Sequence, residues 1–298
     1  MLVCFIELRR LLMFKKLLIY FICCFIPSKN LRERIREWGI FPKIKLGDDR
    51  PYGRRIPMAF CFDNAFWEQA GVAIISLLAN SRCDYDIYCV VPPDMPDKAK
   101  KRLAMFVEPT GSSIVFLAAG DGFKNAKPRN APKAMLYRLL LADMLPGLDR
   151  IIYADCDVCF CRGLAEADEI ELGDNLVAGV AYGGADYINS GFLIMNLKKI
   201  REEGLLGQWR KMLEEKQYPF PDQDAINITC RQRKLLLPMK FNFIPYEYRK
   251  IRHGKMCGKD WHGRIIMLHF AAGQKPWLNR TSIYAPLWQK YATASGLF

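Results

Sequence analysis

The chain has no segment of bilayer-spanning length. Its uninterrupted apolar run, Leu17 to Ile26, is ten residues, where a transmembrane helix needs about twenty. That run ends in "PSKNLRERIREW" without a small-residue cleavage site, which argues against a secretory signal. No basic–aromatic module of the single-strand or RNA-binding kind is present, so no nucleic-acid partner is expected. The eleven cysteines are odd in number and show no scaffold-like rhythm. Cys156, Cys159 and Cys161 resemble half of a zinc site, but no second Cys-x-x-Cys completes it, and Cys230 or Cys257 would have to arrive through the fold. Buried free thiols in a reducing compartment are the simpler reading.

Charge is plentiful and unevenly placed. The net charge is +13, and residues 1–56 hold thirteen Lys and Arg against five Asp and Glu. A basic arm on a nearly balanced body points to an anionic surface partner for the arm. Arg9, Arg10, Lys15 and Lys16 precede the apolar run, and Arg32, Arg34 and Arg36 follow it. Asn30 and Glu33 have capping-box spacing, Gly39 fits a helix stop, and Leu31, Ile35 and Trp38 share one face. The pattern fits a helix lying in a membrane interface, so residues 1–50 are expected to form a membrane-associating arm, with residues 1–40 on anionic headgroups. A hairpin packed on the body, or a short inserted anchor, are the alternatives.

Residues 51–298 form the expected second unit. "IPMAFCF", "YDIYCVV", "SSIVFL" and "IIYA" read as buried strands, and "EQAGVAIISLLANS", "DKAKKRLAMFVEP" and "APKAMLYRLLLADMLPG" as the helices between them. This alternation predicts an α/β fold with a mainly parallel sheet covered on both faces. Ligands of such sheets bind at the carboxyl ends of the strands, near a switch in strand order. Asp155 and Asp157 stand at the end of the fourth strand, so its tip is expected to be the floor of a site. Two carboxylates this close suit a hard divalent cation such as Mg²⁺ or Mn²⁺ carrying substrate phosphates.

Three later stretches support that site. "INSGFLIMNL" places a polar turn, Asn189–Ser190–Gly191, before an apolar strand. "PDQDAIN" puts Asp222, Gln223 and Asp224 in the first turn of a helix, where carboxylates suit the dipole. "IIMLHFAAGQKPW" is a buried strand followed by His269, a candidate third metal ligand, and then Lys275, in reach of phosphate.

In order and spacing, "IPMAFCFDN", "YRLLLADMLPGLDRIIYADCDV", "INSGFLIMNL", "DQDAIN" and "LHFAAGQKPW" resemble glycosyltransferase family 8, the family of glycogenin and of bacterial α-galactosyl- and α-glucosyltransferases acting on lipopolysaccharide. The resemblance covers about residues 56–280. It implies a GT-A fold, a UDP-sugar donor, a Mn²⁺ or Mg²⁺ cofactor, and transfer with retention at the anomeric carbon. It further implies that Asp155, Asp157 and His269 hold the metal and that Lys275 binds the diphosphate. Asp63 would contact the uracil, Arg138 the donor sugar, and Asn189 the sugar pocket. Asp222 would bond the transferred sugar, with Gln223 close to its reacting face. Retention then needs either a covalent intermediate, with Gln223, Asp222 or Asp224 as candidate nucleophile, or, the favoured route, entry of the acceptor on the leaving-group face.

The chain departs from the family pattern in three places. Ala65 and Phe66 stand where an asparagine and a tyrosine are usual, so one nucleoside contact is either lost or moved to Asn64. Ala272 stands where glycine is frequent, with Gly273 one place later, near the donor. The stretch between "LVAGVAYGG" and "INSG" is short, so other segments must build the acceptor site. Two rival readings are a catalytically silent UDP-sugar-binding homologue and a haloacid-dehalogenase-like phosphatase, the latter leaving "HFAAGQKPW" without a role. A UDP-sugar donor and free thiols place the expected activity in the cytoplasm. There the arm would hold it against the inner face of the membrane, where a glycan or lipid-linked saccharide acceptor is presented.

Overall fold

The computed structural model describes residues 54–126, 132–184, 186–244, 265–273, 275–278 and 285–298. The expected arm of residues 1–50, its capping box at Asn30 and Glu33, and Cys257 lie outside them. Strand β1 (Ile56–Cys61) is followed by helix α1 (Trp67–Ala79), β2 (Tyr85–Val91), α2 (Asp97–Val107) and β3 (Ser113–Ala118). A 3₁₀ segment (Lys133–Leu140) then runs into the single turn α3 (Leu141–Met144) and on to β4 (Arg150–Ala154). Next come β5 (Val158–Phe160), the turn α4 (Ala165–Asp168), β6 (Val177–Ala181) and β7 (Ile188–Asn196). Helices α5 (Leu197–Glu202), α6 (Leu205–Glu215) and α7 (Pro221–Thr229) lead to β8 (Lys234–Leu237), β9 (Met267–His269) and α8 (Ala285–Ser295).

Seven strands form one sheet in the order β3-β2-β1-β4-β7-β6-β8. β1 is parallel to β2 and β4, β2 to β3, and β6 to β8, whereas β7 runs antiparallel to both of its neighbours. The mainly parallel α/β sheet expected from the sequence is therefore present. The reversal at β7 places its amino end beside the carboxyl end of β4, with Ala154 opposite Phe192. β5 and β9 form a separate antiparallel pair in which Val158 faces His269.

Strand periodicity of two divides the core between the faces of the sheet. Met58, Phe60, Ile87, Cys89, Ile152, Ala154, Phe192 and Ile194 point to the side covered by α1 and α2. Ala59, Val90, Ile151, Tyr153, Leu193 and Met195 point to the other, covered by the 3₁₀ segment, α6 and α7. Helix α1 is buried on every side, which its nearly continuous apolar sequence requires. Its far side, through Val72, Ile75 and Ala79, meets β5, β9 and α8. The small sheet is thereby held to the large one through this helix and through direct packing, with Phe160 of β5 edge-on to Phe60 of β1 at 6.4 Å between ring centroids.

Two expectations change. Residues 133–140 wind as 3₁₀ and not as α-helix. In 3₁₀ winding side chains at i and i+3 eclipse, and the Nε of Arg138 donates to the carbonyl of Met135 at 3.0 Å. Asn189, Ser190 and Gly191 are not a turn but the first residues after Ile188 in β7, beside a bulge of the β6 pairing at Gly179 and Val180. Cys156, Cys159, Cys161 and Cys230 are buried free thiols, and among the described residues they gather no metal-binding group. No helix among the described residues is long and apolar enough to cross a membrane.

Candidate active site

The end of β4 carries the two carboxylates that the sequence singles out. The Asp155 N–H donates to Gly191 O at 3.0 Å, extending the β4–β7 pairing by one rung. Asp157 is tied to the small sheet, since Phe270 N donates to its carbonyl at 2.9 Å. Val158 opens β5 opposite His269, the last residue of β9, so Asp157 leaves the strand within reach of the imidazole.

Three basic groups face the pair. Arg138 Nη2 lies 2.8 Å from Asp155 Oδ1. His269 Nε2 lies 3.3 Å from Asp157 Oδ1 and 3.7 Å from Asp155 Oδ2. Lys275 Nζ pairs with Asp157 Oδ2 and donates to Phe270 O at 2.9 Å. Burial by itself would push the Asp157 carboxyl up, but His269 and Lys275 together hold it well below the usual carboxylate range. The ligand atoms of Asp155, Asp157 and His269 all lie within 4.8 Å of one another. Adjacent ligands of a six-coordinate Mg²⁺-sized ion are about 3 Å apart, so two carboxylates and an imidazole at these separations fit a hard or borderline divalent cation.

Arg138 is the second centre. Its Nη1 donates to Ser190 O at 2.8 Å and to Ser190 Oγ at 3.1 Å, and lies 3.2 Å from Asp222 Oδ2. Its guanidinium sits 4.5 Å over the ring of Tyr153, whose hydroxyl donates to Asp155 Oδ1 at 2.6 Å. Burial alone would lower the Arg138 pKa, and Asp155 and Asp222 outweigh it, so the guanidinium stays charged. Asp222 is 2% exposed, and its Oδ2 accepts from Ser190 Oγ at 2.8 Å. Burial pushes its carboxyl up, with Arg138 offsetting only part of the shift.

A row of carboxamides joins the two centres. Asn189 Nδ2 donates to Gln223 Oε1 at 2.9 Å, and Asn242 Nδ2 donates to Asn189 Oδ1 at 2.7 Å. Asn242 Oδ1 meets His269 Nδ1 at 2.9 Å. Helix α7 delivers Asp222 and Gln223 on its first turn, as expected, with Pro221 opening it.

The remaining candidates stand apart from this network. Asp63 lies half-buried at the tip of β1, its Oδ1 accepting from Ala65 N at 3.0 Å, and Asn64 beside it is exposed. Gly273 is exposed in the loop after β9. Asp224 turns to Tyr187, whose hydroxyl donates to it at 2.5 Å, and accepts from Phe220 N at 2.9 Å. Phe66 packs edge-on against Trp277 with ring centroids 6.0 Å apart, giving the unusual phenylalanine a partner. Sequence reasoning missed Tyr153, Tyr187 and Asn242 as site groups and placed Ser190 only in a turn. Tyr153 was legible, since it lies two residues before Asp155 and so on the same face of an extended chain. Asn242, a lone amide between two phenylalanines, offered only the weaker signal of a polar group in an apolar run.

The fold and the site define an α/β protein with a cluster of two carboxylates and an imidazole, able to hold a cation, at the reversal of its sheet. Solved structures share that fold: galactosyltransferase LgtC, in complex with donor and acceptor sugar analogs, aligns with a TM-score of 0.68 and 21% identity over 80% of this chain and 96% of that one. The glycosyltransferase GlyE of Streptococcus pneumoniae aligns at 0.68 and 20% over 82% of this chain and 62% of that one. The fold is GT-A. The family model described as "Glycosyl transferase family 8" matches residues 57–281, and the chain belongs to that family. Lipopolysaccharide 1,2-glucosyltransferase of Escherichia coli K12 is 24% identical over 254 residues, 76% of this chain and 74% of the relative. The probable glycosyl transferase Gly of Streptococcus gordonii is 25% identical over 254 residues, but the chain spans only 35% of that relative's length.

Proposed function

We propose that the protein is a retaining, divalent-metal-dependent hexosyltransferase. It moves galactose or glucose from a UDP-sugar to a glycan or lipid-linked acceptor of the lipopolysaccharide type. The observation that carries this reading is the grouping of Asp155, Asp157 and His269 around one point at the β4–β7 reversal. Asp155, Asp157 and His269 would hold Mn²⁺ or Mg²⁺, which would supply positive charge to stabilise the departing diphosphate. Lys275, paired with Asp157 in the structure, would supply a positive charge to the diphosphate.

Arg138 and Asp222 line the same floor and orient the hexose, with Asn189 and Gln223 beside them. Asp63, Asn64 and Gly273, further out, are assigned to the nucleoside and diphosphate side. During transfer the C1–O bond to the diphosphate breaks and a C1–O bond to the acceptor hydroxyl forms, its proton passing to a departing phosphate oxygen. Both carboxylate oxygens of Asp224 already accept hydrogen bonds, which disfavours it as a covalent nucleophile and favours entry of the acceptor on the leaving-group face.

The basic arm supplies the place of action. Residues 1–40 hold the domain against the anionic inner face of the membrane; deletion of these residues is expected to release the protein, and a truncated form that still pellets with membranes at high salt overturns this part.

The test of the reaction is UDP release from a panel of UDP-sugars, with and without Mn²⁺. Slow Mn²⁺-dependent hydrolysis of one donor, abolished by Asp157→Asn, is the expected result. Stabilisation by UDP with Mn²⁺ but no turnover, even with candidate acceptors, would instead identify a binding homologue.

A further inference from the structure

Two backbone N–H groups fix the sense of every hydrogen bond in the carboxamide row. Gly191 N donates to one end of the Asn189 amide at 2.9 Å, so that end is its oxygen. The same oxygen faces Asn242 at 2.7 Å, which must present its NH₂. Asn242 therefore turns its own oxygen to His269 Nδ1, 2.9 Å away. An amide oxygen only accepts, so Nδ1 carries a proton in either charge state, and in the neutral imidazole the lone pair lies on Nε2. Nε2 is the atom facing Asp155 and Asp157.

The other end of the row obeys the same logic. Ser190 N donates to the side-chain oxygen of Gln223 at 3.0 Å, and Asn189 Nδ2 donates to it at 2.9 Å. Both lone pairs of that oxygen are taken, and what Gln223 can offer a ligand is its amide N–H. These assignments follow from backbone donors, whose identity is not open to the exchange of O and N that side-chain amides permit.

We infer that Asn242 is a positioning residue. Buried between Asn189 and His269, it holds the imidazole in the Nδ1–H tautomer that leaves Nε2 ready for a cation, and it ties that tautomer to the orientation of Gln223. Asn242 and His269 are 2% and 3% exposed, so water does not compete for either bond. The inference rests on the reading of His269 as a metal ligand given under Proposed function. Partners of this kind typically change metal affinity by about 10–100-fold when removed.

The first test needs no substitution. In ¹⁵N-labelled full-length protein without metal, at a pH where the imidazole is neutral, His269 should show a protonated Nδ1 and an unprotonated Nε2, its signals assigned by their loss in His269→Gln. An Nε2–H tautomer overturns the inference. The second test titrates Mn²⁺ into the unmodified protein, Asn242→Ala and Asn242→Asp, with thermal unfolding showing that each variant is folded. Asn242→Asp keeps the acceptor for Nδ1–H but loses the donor to Asn189, so it should hold Mn²⁺ far better than Asn242→Ala, which should lose about 10–100-fold. Equal affinity in all three overturns the role of Asn242 while leaving the metal site intact. No Mn²⁺ binding by the unmodified protein would instead overturn the metal reading, and the tautomer measurement would still decide the hydrogen-bond assignment.

Discussion

Gly191 and His269 touch so closely that a side chain at position 191 must displace a neighbour: a methyl group there would lie 2.3 Å from His269 Cε1, 2.7 Å from its Nδ1 and 2.8 Å from Asn189 Oδ1. The glycine is held by contact, within an ordinary strand, and not by an unusual φ. Gly191→Ala must push the imidazole off its position or break the bond to Asn242. We expect the variant to fold and to lose Mn²⁺ affinity by about 10–100-fold, read by titration of the metal. Wild-type affinity would mean that the imidazole is not part of the site.

Arg138 stands between Asp155 and Asp222, with a side chain only 7% exposed. Removing the guanidinium leaves buried Asp222 without its cation and takes one of two basic neighbours from the partly exposed Asp155. Arg138→Met should cost about 3–5 kcal/mol of unfolding free energy, measured by denaturant unfolding. Adding Asp222→Asn should recover part of that loss, because the second substitution removes the stranded charge.

Acid titration of the metal-free protein should separate Asp157 from Asp222. The folded-state pKa of Asp157 lies below its ordinary value, so its stabilisation is complete above about pH 4 and is lost as pH falls through the folded value. The cost of Asp157→Asn should therefore shrink on acidification. Asp222 is shifted up, so ionising it destabilises the fold as pH rises through its folded value. Asp222→Asn should accordingly gain ground on the unmodified protein above about pH 4. Urea unfolding across pH checks both signs; parallel curves for the two variants would contradict them.

Ala272 has a φ of 55°, in the left-handed region that a side chain disfavours. This is the position where glycine is frequent in the family. Ala272→Gly should stabilise the protein by roughly 0.5–1 kcal/mol, read as a rise in unfolding midpoint. A fall would show that the methyl group makes contacts worth more than the strain.

Much of this was legible in the sequence, for physical reasons that differ by element. Strand β2 matched its expected limits, Tyr85 to Val91, because a run rich in aromatic and β-branched residues, broken only by Asp86 and stopped by Pro92–Pro93, has few alternatives in a parallel sheet. The ends of β4, β9 and α7 carry Asp155, His269 and Asp222, and strand tips and first helical turns are places that pattern alone can locate. The region of residues 133–140 was read as α-helix because apolar spacing does not distinguish it from 3₁₀ winding over so short a segment. Asn189 to Gly191 looked like a turn because Asn, Ser and Gly favour turns, whereas here Ser190 and Asn189 spend their polar groups on Arg138, Asp222 and Gln223. Asn242 was invisible because its meaning lies in two partners, 53 and 27 residues away.

The measurement that bears most directly on the account is Mn²⁺ binding by full-length protein, followed by electron paramagnetic resonance with and without UDP. The account predicts that Mn²⁺ binds, that UDP tightens it, and that Asp157→Asn abolishes both effects in a folded protein. Binding that ignores UDP, or that survives Asp157→Asn and His269→Gln unchanged, would contradict a metal-held diphosphate at the end of β4.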